Sequence, residues 1–226
     1  MKMIQFKCGP EWDQRLITIR PKKRIGLLVS GGIDSTVLYH ILKKHPKLVL
    51  YNLANNSGYA SENHVRRAIG NPNLKINVIK ENDLTDEPLG LDALLELAVD
   101  KIISKKQVDE LYTASNAVPP TREFKTLEDL PDRTWRFDTH PFMKGPFLPL
   151  YKFHIIELAI KFKVNFGDIH SCSRNKWGMC GHCFACEERY WAMKQFDISE
   201  IDGKIVRGVY PESKYIISRS RIKYAN

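Results

Sequence analysis

The sequence predicts an α/β protein with a doubly wound, mainly parallel sheet and a small helical region at its C-terminus. Three observations carry this. Compact apolar runs alternate with segments whose apolar residues recur at helical spacing, the first such run hands over to a helix through a Gly-Gly loop, and four of five cysteines fall within fifteen residues near the end.

Residues 15–20 (RLITIR) alternate apolar and polar side chains and read as a leading edge strand. Residues 24–30 (RIGLLVS) form a compact apolar run, the pattern of a strand buried on both faces of a parallel sheet. Gly31 and Gly32 break it, and residues 34–44 then set Val37, Leu38, Ile41 and Leu42 at helical spacing. Residues 47–53 (KLVLYNL) predict a second strand, followed by a polar loop and a helix over 61–69. A third strand is expected at 74–79 (LKINVI), a long helix at 91–104 and a fourth strand at 109–114 (DELYTA). Strand–helix alternation of this kind gives a doubly wound sheet, whose ligands bind beyond the carboxyl ends of the strands.

Between residues 118 and 149 the texture changes. Six prolines are interleaved with Phe124, Trp135, Phe137, Phe142 and Phe147, and a long loop of this kind inside a compact protein points to function. Residues 152–162 are helical, and residues 187–195 (EERYWAMKQ) predict a short helix. The expected division is an α/β domain over 1–165 with a C-terminal region over 166–226 packed on it.

At 226 residues the chain can bury a substantial core, and its 43% hydrophobic and 27% charged content is globular. No run of eighteen apolar residues spans a bilayer, and MKMIQFKCGPEWDQ lacks the apolar middle of a secretory signal, so a cytoplasmic location with no membrane partner is expected. The net charge of +9 fits polyanionic partners, and equally fits solubility alone. Lys204, Arg207, Lys214, Arg219, Arg221 and Lys223 make the segment from residue 201 onward modestly basic.

The string SGGIDST, Ser30 to Thr36, stands where a strand becomes a helix. A helix start offers unpaired N–H groups and a positive dipole end, both suited to phosphate oxygens. Gly31 and Gly32 admit a phosphate close to the backbone, Ser30, Ser35 and Thr36 add hydroxyls, and Asp34 is placed to hold the Mg²⁺ that accompanies ATP. The plain alternative is a tight turn in which Asp34 or Ser35 only caps the helix. SGGIDS matches the SGGxDS signature of the ATP-pyrophosphatase (PP-loop) superfamily, and no Walker-type loop is present. That resemblance implies a grip on the pyrophosphate end of ATP and attack at the α-phosphate.

CSRNKWGMCGHCFAC spaces Cys172, Cys180, Cys183 and Cys186 as C-x7-C-x2-C-x2-C. Four thiolates in this pattern close a tetrahedral Zn²⁺ site, and a closed site is structural. His182 could replace one cysteine; an iron–sulfur cluster or a redox-active pair are the competing readings. Cys8 stands alone and reads as a small packed side chain.

The phosphate loop and the cysteine spacing together resemble the 7-cyano-7-deazaguanine synthase family. DELYTASNAV is similar to that family's strand ending in Asn-Ala, PFLPLYK to its Pro-Leu…Lys segment, and HSCSR to the approach to its first cysteine. The resemblance implies an adenine nucleotide alpha hydrolase-like fold, ATP, Mg²⁺ and Zn²⁺ as cofactors, and a homodimer. It implies a ligase that adenylates 7-carboxy-7-deazaguanine and aminates it with ammonia, first to the amide and then to the nitrile. Asp34, Ser35 and Lys152 would be catalytic, with Lys152 meeting developing charge, and Asn116 would bind substrate; Arg122, in the proline-rich loop, is a candidate to bind the substrate carboxylate or a phosphate. The chain departs from the family after Asn116, where VPPTREF stands in place of an Asp-Tyr-Ser-Gly-Tyr-Pro-Asp-Cys-Arg stretch, and after the second strand, where NNSGYASEN replaces a Tyr-Gly-Gln and a basic pair. Two alternatives therefore stand beside it. One is a relative that conjugates a related acid to another amine, including one on a protein. The other is a tRNA-modifying PP-loop enzyme, disfavoured because no RNA-binding appendage is recognisable.

Overall fold

The computed structural model describes residues 3–54, 61–87, 89–119, 137, 140–172, 179–181, 183–201 and 204–207. Its centre is a five-stranded sheet of β3 (Ile25–Leu28), β4 (Leu48–Ala54), β5 (Asn77–Lys80), β6 (Glu110–Tyr112) and β7 (Met143–Lys144), in the order β5-β4-β3-β6-β7. Every pairing in this sheet is parallel, with Ile25 beside Leu48 on one side and beside Glu110 on the other. The chain runs outward from β3 to β5, then returns to lay β6 and β7 on the opposite side. The carboxyl end of β3 is thus the topological switch point, where such sheets open a crevice.

Burial on both faces explains the unbroken apolar runs. Ile25, Leu27, Val29, Leu50 and Tyr112 pack with α1 (Ile33–Leu42) and α2 (Glu62–Ile69). The alternate positions Tyr51, Leu111 and Met143 pack with Ala98, Val99 and Ile102 of α3 (Leu91–Ser104) on the other face. Gly26 makes room there: a Cβ would lie 2.8 Å from Leu111 Cδ1 and 3.1 Å from Tyr51 Cε2. Ser61 caps α2, its hydroxyl accepting from the His64 amide at 3.3 Å, and Gly70 ends it at φ +72°.

Two further helices, α4 (Lys152–Lys161) and α5 (Phe184–Lys194), extend the first face; Phe153, Ile156, Trp191 and Met193 join its core. The strand expected at 74–79 occupies 77–80, and residues 15–19 are not an edge of the main sheet. They form β2 (Arg15–Ile19), antiparallel to an unexpected β1 (Ile4–Cys8). The proline-rich stretch contributes β7, and a hairpin of β8 (Ile198–Ile201) and β9 (Lys204–Arg207) adds strands to the C-terminal region expected to be helical. No helix among the described residues is long and apolar enough to cross a membrane.

The β1–β2 ribbon is fastened to α4 around His154, which is fully buried. Trp12 packs on Phe153 with ring centroids 5.2 Å apart, and the Arg15 guanidinium lies 4.5 Å from the centroid of the Tyr151 ring. The Gly9 amide donates to Glu157. His154 Nδ1 accepts from the Tyr151 amide at 3.2 Å while Nε2 lies 2.9 Å from the Asp13 carbonyl, a pair of bonds that suits the neutral ring. Burial, the largest influence, holds His154 below the ordinary imidazole range, against the Asp13 carbonyl and carboxylate and with help from Arg15. Between the folded and unfolded values the unfolded chain binds more protons, so this contribution is complete above about pH 6.5 and is lost as pH falls below it. The urea midpoint should drop between pH 7.5 and 5. His154→Gln should flatten part of that slope at a cost of about 1–3 kcal/mol; His40 and His64, also lowered by burial, keep the rest.

Candidate active centre and metal site

The loop between β3 and α1 is built by its own side chains. Ser35 Oγ accepts from the Ser30 amide at 3.2 Å, donates to the Gly32 carbonyl at 3.1 Å and lies 3.2 Å from Ser30 Oγ. Gly32 caps α1 without a side-chain bond, leaving the first-turn amides without intrahelical partners. Thr36 sits in that turn, 1% exposed, its hydroxyl without a hydrogen-bond partner among the described residues.

Gly31 has φ +79°, a conformation that favours glycine, and an added Cβ would fall 2.4 Å from His64 Cδ2. Its carbonyl is turned toward α2 and the C-terminal region. His64 Nε2 lies 3.2 Å from it, and the His170 amide donates to it at 3.4 Å. The carbonyl accepts, so His64 carries its proton on Nε2. The two imidazoles meet edge to face, 5.7 Å apart. With this carbonyl turned away, the loop presents amides and hydroxyls, the groups that suit an anion.

Asp34, the second residue of α1, receives the Lys152 ammonium on both carboxylate oxygens at 2.7 and 2.6 Å. Lys152 heads α4, but its side chain is only 7% exposed. A second carboxylate, Glu188 of α5, lies 3.5 Å from the same ammonium and is 2% exposed. Asn116, four residues beyond β6, donates Nδ2 to Glu188 Oε1 at 3.2 Å and to the Ala117 carbonyl at 3.1 Å. The Ala117 amide binds the Leu150 carbonyl at 2.7 Å, which ties the Asn116 segment to the start of α4. The fold therefore brings Asp34, Lys152 and Asn116 together across the switch point. Glu188 was legible only as one of two acids in EERYWAMKQ; nothing in the helical pattern singles it out. Arg122 and His182 lie outside the described residues.

The four predicted cysteines converge. Cys172, Cys180, Cys183 and Cys186 place their sulfurs within 4.8 Å of one another. Cys183 Sγ lies 3.4 Å from that of Cys186 and 3.9 Å from that of Cys172, and those of Cys180 and Cys186 are 4.0 Å apart. A tetrahedron with Zn–S bonds of about 2.3 Å has edges of about 3.8 Å, so the set fits one ion. The distances are far beyond the ~2.05 Å of a disulfide. Without a metal the cluster is unfavourable for thiolates: the Cys183 sulfur and burial both push Cys186 up.

The cluster is wired to its surroundings. Arg189, 1% exposed, donates to Ser171 Oγ at 3.2 Å and to the Phe166 carbonyl at 3.5 Å. His170 Nε2 lies 2.9 Å from the Cys172 carbonyl while the His170 amide reaches Gly31.

No protein-family model matches the chain, and no curated protein matches it. Solved structures do. An NH3-dependent NAD synthetase from Campylobacter jejuni subsp. jejuni NCTC 11168, in complex with the nitrate ion, aligns at 18% identity over 65% of this chain and 67% of its own, with a TM-score of 0.43. An NMN synthetase from Francisella tularensis aligns at 14% identity over 64% of this chain, with a TM-score of 0.39; the match spans 63% of that protein, less than two thirds. A predicted subunit of tRNA methyltransferase from Methanocaldococcus jannaschii DSM aligns at 16% identity over 76% of this chain and 89% of its own, with a TM-score of 0.34. At these identities and scores the likenesses carry no information about activity.

Gly31→Ala should cost at least about 1–3 kcal/mol, from the positive φ and the clash with His64, read as a lower urea midpoint. Cys183→Ser should lose the metal, measured by plasma mass spectrometry, together with more than about 4 kcal/mol of stability.

Proposed function

We propose that the chain is an ATP-dependent enzyme of the PP-loop type that transfers AMP to a substrate carboxylate and then replaces AMP with nitrogen. The observation that supports this best is the pairing of Asp34 with Lys152 beside an amide-lined loop at the switch point. Lys152 faces two carboxylates, which leaves the trio with one negative charge in excess. A polyanion alone would be repelled there, whereas a nucleotide arriving with Mg²⁺ brings its own compensation. Asp34 and the nucleotide's phosphate oxygens are the oxygen ligands such an ion prefers; the ion would supply charge neutralisation.

The first-turn amides and the exposed Ser30 hydroxyl hold the pyrophosphate end of ATP and orient the α-phosphorus toward the acid, with Ser35 keeping the loop in shape. A carboxylate oxygen forms a bond to that phosphorus and pyrophosphate leaves, giving an acyl adenylate. Lys152 is the cation that meets charge developing on the α-phosphate oxygens. Ammonia then attacks the acyl carbon, AMP departs and a proton is lost, giving the amide. The amide oxygen then bonds to the α-phosphorus of a second ATP as pyrophosphate and an N–H proton leave, and elimination of AMP with the remaining N–H proton leaves the nitrile. On the family resemblance, the acid is 7-carboxy-7-deazaguanine, Asn116 contacts it and Zn²⁺ is structural.

A second reading keeps the activation step and changes the acceptor. The ATP end of the chain retains its motif, while VPPTREF replaces the stretch with which the family holds its deazaguanine. A related acid joined to another amine, including one on a protein, fits that pattern.

Incubation with ATP, Mg²⁺, 7-carboxy-7-deazaguanine and ammonia should yield AMP and an amide or nitrile by mass spectrometry. AMP that depends on the acid without either product supports the second reading, and iron in place of zinc would favour the tRNA-modifying alternative. Asp34→Asn should lower AMP formation at least about a hundredfold, roughly 2.7 kcal/mol, with metal content unchanged. Retained turnover in that variant would refute the assignment.

A further inference from the structure

We propose that Glu188 is a positioning residue of the active centre: it fixes the Lys152 ammonium and the Asn116 amide relative to each other, and transmits the order of the cysteine site to them. The catalytic part of this inference rests on the adenylation reading above; the positional part does not.

Three observations carry it. A carboxylate that is 2% exposed is costly to bury unless its oxygens are engaged. Glu188 engages both: Oε1 accepts from Asn116 at 3.2 Å and Oε2 lies 3.5 Å from Lys152 Nζ. It thereby joins two residues from separate elements, one after β6 and one at the head of α4. Third, its place is set by the cysteines. Cys183 caps α5 and Cys186 lies in its first turn, so a metal held by four thiols fixes the start of the helix that carries Glu188 two residues later.

The geometry also defines what Glu188 does to Lys152. The ammonium lies at 2.6–2.7 Å from Asp34 and at 3.5 Å from Glu188, so Asp34 is the closer partner and Glu188 the second, more distant one. A long, flexible lysine side chain loses much rotamer freedom when fixed, and two carboxylates from different helices make that loss before substrate arrives. When Asp34 turns to a nucleotide-bound cation, Glu188 still holds the ammonium in the crevice.

Glu188→Gln separates the two contacts, because a Gln side-chain oxygen still accepts from Asn116 while the ionic hold on Lys152 is gone. The first readout is the 15Nζ resonance of the Lys152 ammonium, assigned by its disappearance in Lys152→Met. In Glu188→Gln at unchanged zinc content and melting temperature, this resonance should shift or broaden; an unchanged resonance overturns the inference whatever the protein does with ATP. The second readout is AMP formation. The expected result is a fall in kcat of about tenfold or more, with KM for ATP within about twofold and partial recovery of kcat in Glu188→Asp. Loss of zinc and melting temperature in step with activity would make Glu188 merely structural and would also overturn it. Absence of acid-dependent AMP from the unsubstituted protein would refute the adenylation reading, and the Lys152 resonance would then decide the positional part alone.

Discussion

The ion pair between Lys152 and Asp34 is the constraint on which the candidate site depends. A lysine ammonium with 7% of its side chain exposed is stable only if carboxylates replace the water it has lost. Asp34 comes from the first turn of α1, Lys152 from the first residue of α4 and Glu188 from α5, so satisfying one charge requires three helices to meet at one point. That point lies at the carboxyl end of β3, where the order β5-β4-β3-β6-β7 opens the sheet. Sheet topology decides where the three helices meet, and the ion pair joins the side chains they bring there.

The cysteine cluster is the second anchor, and it reaches the same centre by two routes. On the side before Cys172, the His170 amide binds the Gly31 carbonyl and His170 Nε2 meets the Cys172 carbonyl. On the side after Cys186, α5 carries Glu188 toward Lys152 and Arg189 toward Ser171 and Phe166. A cysteine cluster tied this way is more than a staple for a C-terminal region. It holds the segment that keeps the Gly31 carbonyl turned from the loop's open side, where a carbonyl dipole would oppose an anion. His64 completes that arrangement from α2, and its own burial keeps it neutral, suited to donating a single hydrogen bond.

Much of this was determined by the sequence alone, because the signals are local. The runs RIGLLVS and KLVLYNL are apolar throughout since both faces of their strands are covered, and the SGGIDST loop is marked by glycines at a strand-to-helix joint. The cysteine spacing states its own chemistry, because C-x2-C places two thiols near one ion without help from the rest of the fold. Where the sequence reading erred, the cause was tertiary. Residues 15–19 alternate as an edge strand should, yet their partner is β1 and the ribbon is fastened to α4 through His154 and Trp12 rather than to the main sheet. The two-residue strand β7 is too short to show a period, and its parallel pairing with β6 is fixed by neighbours. What only the tertiary structure decided is the company that charged residues keep. Lys152 at a helix start and Glu188 beside another acid both look like solvated surface in one dimension. They are buried together because α4 and α5 pack side by side over the switch point, and a charge removed from water has to find its counter-charge across the fold.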